Sequence, residues 1–269
     1  MASITRNPAV AGQFYPASAP ALKKEVEKYL ISGGEKIKAI GIVSPHAGYI
    51  YSGPVAGATL SAVELEDTCV IIGPNHTGQG APFSIMTEGV WRMPSGDCRI
   101  DEELARSILG NSGYLREDIL AHRNEHSIEV QLPFMQALRD NLKIVPMVLS
   151  DAKIEVYREI GKGIAKSLIE KKTATIIASS DMTHYESQEA ANKKDKMAIE
   201  AILRLDEDEL MRTIIKRGIS MCGYAPVCVM LSAAKECGAR NAKLIKYQTS
   251  GDVTGDYGAV VGYAGIVVY

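Results

Sequence analysis

The 269-residue chain predicts an α/β fold of three layers, α/β/α, in which helices cover a central mainly parallel or mixed sheet. Three observations carry that expectation. Apolar β-rich runs alternate with helical patterns along most of the chain. Several of those runs are apolar on both faces, as strands covered on two sides must be. A hydrophobic content of 46% is enough to bury one substantial core. No shift of composition and no long Pro/Ser/Gly linker divides the sequence, so a single domain over 1–269 is expected.

The expected strands are 38–44, 68–73, 143–149, 173–179, 242–247 and 259–268. Helical spacing or strong helix formers mark 22–31, 55–65, 101–109, 154–170, 189–205 and 226–236. Segment 83–90, running into Trp91-Arg92-Met93-Pro94-Ser95-Gly96, reads as an extra strand and turn at an antiparallel edge. Pro133 stands inside the otherwise helical 127–138, and its missing N–H should make that helix begin late or bend.

Thirty basic residues against thirty-two acidic ones leave a net charge of −2 without a basic stripe, which argues against nucleic acid as a partner. The most apolar segment, 257–269, is about half the roughly 20 residues a membrane helix needs. It is also broken by Gly262 and Gly265, so it reads as a buried strand, with no membrane association expected. The N-terminal Met1-Ala2-Ser3-Ile4-Thr5-Arg6 lacks the basic and apolar regions of a signal peptide, and a cytoplasmic location is expected. Five cysteines without a CxxC pair fit that setting, most of them as small buried hydrophobes.

Three of the five histidines follow an apolar strand within a few residues. His46 stands in Pro45-His46-Ala47-Gly48-Tyr49, His76 in Gly73-Pro74-Asn75-His76, and His184 in Ser180-Asp181-Met182-Thr183-His184-Tyr185. In open α/β sheets ligands bind outside the carboxyl ends of strands, so three imidazoles have a route to one crevice. Each alone could merely cap a strand end, but together they point to a metal or catalytic centre. Asp181 and His184 stand three apart, so a helical turn would face them the same way, with Asp181 orienting the imidazole, ligating a metal, or only capping the turn.

His126 precedes a helix and is a candidate acid/base or supporting group, whereas His122 reads as a surface residue. Ser127 and Glu129 fit helix-start chemistry, a short polar cap and a first-turn acid. Cys222 ends a turn before an apolar helix, where free N–H groups and the helix dipole should lower its pKa, while Cys228 and Cys237 read as packing. Tyr15, Tyr49, Tyr51 and Trp91 are candidate pocket aromatics, and 249–257 is either a polar pocket loop or a plain turn.

At these residues the chain resembles the Memo family, also called AmmeMemoRadiSam system protein B. The resemblance spans nearly the whole chain: Ala11-Gly12-Gln13-Phe14-Tyr15-Pro16, Pro45-His46-Ala47-Gly48-Tyr49, Pro74-Asn75-His76, Glu125-His126-Ser127-Ile128-Glu129, Asp181-Met182-Thr183-His184 and Cys222-Gly223. It implies a fold like that of the class III extradiol (LigB-type) dioxygenases. It also implies that His46 and His76 match two iron-ligating imidazoles, that Cys222 falls where a carboxylate ligand would be, and that His184 matches the acid/base histidine. A thiolate in that set suits iron, copper or zinc rather than strictly the two-His, one-carboxylate ferrous site. The resemblance further implies a functional link to a radical-SAM protein.

Three functions follow as expectations. The first is a redox enzyme that uses iron or copper on His46, His76 and Cys222, with His184 moving a proton and Asp181 holding it, on a small-molecule substrate. The second is a metal-free enzyme with Cys222 as nucleophile. The third is a module that binds a ligand or peptide without turnover.

Overall fold

The computed structural model describes residues 4–171 and 174–269; the expected start of a strand at 173 lies outside them. The first half of the chain supplies β1 (Thr5–Arg6), α1 (Ala19–Tyr29), β2 (Gly41–Ser44), α2 (Tyr49–Ser61), β3 (Thr68–Pro74), β4 (Phe83–Ile85), β5 (Val90–Trp91), β6 (Cys98–Ile100), α3 (Glu102–Gly110), β7 (Arg116–Glu117) and α4 (Leu120–Arg123). A 3₁₀ turn at Glu129–Gln131 then leads into α5 (Leu132–Leu138), β8 (Lys143–Leu149), α6 (Ile154–Lys171), β9 (Thr175–Ser179), β10 (His184–Glu186) and α7 (Gln188–Leu203). The chain ends with α8 (Glu207–Arg217), α9 (Tyr224–Glu236), β11 (Ala242–Thr249), α10 (Gly251–Thr254) and β12 (Val260–Val268).

The described strands form one mixed sheet whose main path runs β1-β5-β6-β8-β3-β9-β2-β12-β10. Its centre is parallel: β6 pairs with β8, β8 with β3, β3 with β9 and β9 with β2. β12 then runs antiparallel to β2, β10 and β11. Every residue of β2, β3 and β9 is buried, as the two-sided apolar pattern requires.

Three glycines show which helices cover which face. Gly41 of β2 packs on Met230 of α9, and a Cβ at Gly262 of β12 would stand 1.9 Å from the Asp195 carboxylate of α7. A Cβ at Gly265 would stand 1.7 Å from Thr59 Oγ1 of α2. Positions 262 and 265 alternate across the strand, so α7 and α9 cover one face and α2 the other, giving the three layers. Among the described residues no helix is long and apolar enough to cross a membrane.

Several expectations change. α2 begins six residues before position 55 and runs through Pro54, whose missing N–H leaves only the carbonyl of exposed Ile50, in the first turn, without its helical donor. Pro133 falls at the start of α5, so that helix begins late. Segment 83–90 is two strands: β4 lies antiparallel on β8, and Gly89, at φ 106°, turns the chain before β5. α8 was not expected, although Asp206 caps its Glu209 N–H at 2.8 Å and Gly218 closes it in the left-handed region. No helical turn follows Asp181; the chain extends, and β10 pairs with β12.

His122 is buried, not on the surface. Its Nε2 lies 2.8 Å from Ser84 Oγ under β4, and burial drives its pKa down to about 3. Trp91 is likewise buried, with Arg6 stacked 4.2 Å over its ring. Arg6 also donates to the carbonyls of His122 and Glu125 and pairs with Glu129. Glu129 does lie in the first turn of its short helix, but its carboxylate gathers the N-terminal segment, accepting from Ala9 N at 2.8 Å, Val10 N at 3.1 Å and Tyr15 Oη at 2.5 Å.

Arg6→Met would leave the Glu129 carboxylate buried without its cation, and should lower the unfolding free energy by about 3–5 kcal/mol. Arg6→Met/Glu129→Gln should recover a large part of that loss. Urea denaturation of the three proteins measures both.

Candidate metal centre

Because β2, β3 and β9 are parallel neighbours, their carboxyl ends share one edge of the sheet. β2 ends two residues before His46, β3 two before His76, and β9 two before Asp181. The loop between α4 and the 3₁₀ turn adds His126. One nitrogen from each of His46, His76 and His126 lies within 4.8 Å of the others. His46 meets the other two rings edge-on, at 5.2 and 5.5 Å, while His76 and His126 lie near parallel at 4.8 Å.

The supporting hydrogen bonds fix which nitrogens face the cluster. Ser179 Oγ has one proton and gives it to the Ser127 carbonyl, 2.7 Å away. It accepts from Gln131 Nε2 at 2.9 Å, so His46 Nδ1, also at 2.9 Å, must donate to it. His46 Nε2 therefore keeps its lone pair. Gln131 is held in turn, donating to Pro45 O at 2.8 Å and accepting from Ser44 Oγ at 2.8 Å. On the other side, buried Glu125 accepts from His76 Nδ1 at 2.9 Å, His76 N at 2.7 Å and Ser127 N at 2.9 Å. His76 Nε2 is thus also free, in the carboxylate–imidazole arrangement that orients metal ligands.

Cys222 Sγ lies 3.2 Å from His46 Nε2 and accepts from Asp181 N at 3.3 Å. Burial, and after it the Asp181 charge, push this thiol up rather than down, so desolvation outweighs the helix N-terminus that follows. Asp181 accepts from His46 N at 2.8 Å, and burial raises its carboxyl to about 6 against the lowering effect of the His46 and Ala47 N–H groups and of His184. His184 is fixed by Ser220, whose carbonyl is 2.9 Å from Nδ1 and whose Oγ accepts its N–H at 2.8 Å; Asp181 supplies no hydrogen bond to the ring. Burial drives His46 well below the usual histidine value, with the charges of His76 and His126 acting the same way. His126 is lowered by burial, which Glu125 opposes. His76 is raised, because its hydrogen bond to Glu125 and that carboxylate's charge overcome burial.

Above the cluster opens a cavity of about 660 Å³ whose lining includes all four of these histidines, Asp181 and Tyr51. The 249–257 loop contributes Ser250, Thr254 and Asp256 to its wall, so it is more than a turn. Tyr15 and Tyr49 do not line it. Both are buried, with their hydroxyls turned to Glu129 and to the Val130 carbonyl. Cys222 stands behind His46 and does not line the cavity either. Glu125, Gln131 and Ser179 were not singled out in the sequence; the polar residues recurring at every second position, Glu125, Ser127, Glu129 and Gln131, were the available signal.

Three imidazoles with a thiol beside one of them form a nitrogen/sulfur donor set suited to a transition metal, and two of the imidazoles already present the correct tautomer. A sheet of this topology with such a cluster at its strand ends defines an α/β pocket protein that could hold a metal ion. The chain belongs to the Memo family: the Memo-like protein family matches residues 6–267. It is 47% identical over 267 residues to a MEMO1 family protein of Methanococcoides burtonii, covering 98% of this chain and 99% of that one. A MEMO1 family protein of Methanocaldococcus jannaschii is 46% identical over 284 residues, with 98% of each covered. Another, from Pyrobaculum aerophilum, is 44% identical over 280 residues, covering 98% and 99%.

The Glu125–His76 pair predicts a pH signature. Burial opposes ionisation of Glu125, but the hydrogen bond and charge of His76 and the Ser127 N–H bring its pKa from 4.5 down to about 2. Its contribution to stability is therefore present above about pH 4.5 and is lost as the pH falls toward 2. In Glu125→Gln that part of the acid-side loss should disappear. Denaturant titrations of both proteins across this window measure the difference, and the acid sensitivity arising from His122 is common to the two.

Proposed function

We propose that the chain is a metal-dependent redox enzyme acting on a small molecule, with His46, His76 and Cys222 as ligands of iron or copper. The convergence of imidazole nitrogens at the floor of a cavity is the observation that carries this reading. Cys222 Sγ is 3.2 Å from His46 Nε2. Two ligands of one tetrahedral ion, bonded at about 2.0–2.3 Å, stand roughly 3–4 Å apart. His126 faces the cavity and is left as a proton carrier.

A bound redox-active ion would supply one-electron chemistry and a binding position for oxygen. The protein's own groups do the rest. Glu125 and Ser179 hold the His76 and His46 rings with their Nε2 lone pairs inward. His184, held at Nδ1 by the Ser220 carbonyl, offers Nε2 to accept or return a substrate proton. A metal-free nucleophile at Cys222 is less well supported, because the thiol does not line the cavity and burial pushes its pKa up.

The test is elemental analysis of anaerobically purified protein beside His46→Ala, Cys222→Ser and His126→Ala. Near-stoichiometric iron or copper that is lost in His46→Ala and Cys222→Ser but kept in His126→Ala is the expected result. Loss in His126→Ala with retention in Cys222→Ser would assign a three-histidine site instead. Protein without metal, or metal retained in all the variants, overturns the reading.

A further inference from the structure

We propose that the outer half of the cavity selects a small aromatic amine, seating its protonated ammonium group among tyrosine rings and the Asp256 carboxylate. This deepens the reading above, on which it rests for the location of the site.

The wall chemistry carries the inference. Phe14, Tyr51, Tyr185 and Tyr263 supply aromatic surface, and outside the four histidines the polar groups are the Gln13 amide, the hydroxyls of Ser250 and Thr254 and the carboxylates of Asp181 and Asp256. No lysine or arginine is among the described residues that line the cavity, so an anionic ligand would find no fixed cation at the mouth. The oxygen-bearing groups are gathered closely enough to act on one another. Burial pushes the Tyr263 hydroxyl up, and Asp181, Tyr51 and Tyr185 push it the same way. Such a concentration of oxygen atoms and ring faces favours a cation. Its volume of about 660 Å³ suits a small molecule.

Tyr185 adds a second, independent observation. Its φ is 58°, in the left-handed region that side-chain-bearing residues avoid, and the residue remains 78% exposed. The strain falls at the irregularity between His184 and Glu186 in the β10–β12 pairing, and such bulges recur beside binding sites, where they re-aim a side chain. The ring stands 5.8 Å from that of His184, so it extends the cavity wall outward from the site. Asp256 lines the same cavity, and its Oδ1 accepts from Gly258 N at 2.9 Å, which fixes the carboxylate while leaving it capacity for a ligand donor.

Three probes with the same phenol ring separate charge from shape: tyramine (cationic), 4-ethylphenol (neutral) and 3-(4-hydroxyphenyl)propionate (anionic). Each is titrated calorimetrically into protein as purified and into EDTA-dialysed protein, with metal content measured on both. Tyramine should bind about three- to thirtyfold tighter than 4-ethylphenol. The propionate should bind weakest. The tyramine advantage should narrow at high salt. It should also shrink in Asp256→Asn and Tyr185→Ala, with 4-ethylphenol affinity unchanged in Asp256→Asn. Propionate binding as tightly as tyramine, a tyramine advantage untouched by Asp256→Asn, or no binding of any probe overturns the proposal. A protein that takes no metal but prefers tyramine defeats only the metal reading; a metal-binding protein that prefers the propionate defeats only this one.

Discussion

A single hydroxyl proton governs the protonation of the site. Ser179 Oγ sits where three chain segments meet, and because it spends its one hydrogen on the Ser127 carbonyl, it can only accept from Gln131 and from His46. The His46 tautomer follows, and with it the direction of the lone pair that meets Cys222. The same bond ties the end of β9 to the loop carrying Glu125 and His126, so the two imidazoles on the far side are registered against His46 through backbone. Were Ser179 unable to donate, the Ser127 carbonyl would be left buried without its partner, a cost of about 1–3 kcal/mol.

Rigidity of this kind matters because the surrounding charges are few and buried. Glu125 is fully satisfied by three N–H groups and so stays ionised deep in the protein, whereas Asp181, equally buried, is raised toward neutrality. Two carboxylates flank one cluster and differ in how many donors reach them. The pair gives the pocket a fixed negative support under His76 and a softer, titratable one beside His46.

The strand-end positions of His46, His76 and Asp181 were legible because they depend on local signals, an apolar run followed by Pro or Gly. The family signature was legible for the same reason. What depended on distant pairing was not. The expected helical turn at Asp181–Tyr185 fails because β10 pairs with a strand some 75 residues later in the chain, and the ladder overrides local spacing. The dipole argument for Cys222 fails because burial outweighs it. Tyr15 and Tyr49 lie in motifs that do reach the site, but a motif does not say which way a ring turns, and both rings pack inward. Glu125 and Glu129 look alike in sequence as acids near a helix start; one supports a histidine and the other anchors the N-terminal segment.

The meeting of Gly262 with Asp195 has a bearing on how the protein can change over generations. Asp195 fills the space where a side chain at 262 would be, and from there it holds Thr183 N at 2.9 Å and Tyr247 Oη at 2.8 Å, fixing the stretch between Asp181 and His184. Neither position can drift alone. A larger residue at 262 expels the carboxylate that steadies the site, and a smaller one at 195 leaves a void and strips the Thr183 N–H of its acceptor. Mutational routes that retune His184 from behind must pass through paired replacements, while the cavity rim can be rewritten one residue at a time. Substitution is therefore freer at the cavity rim than in the scaffold that holds the histidines.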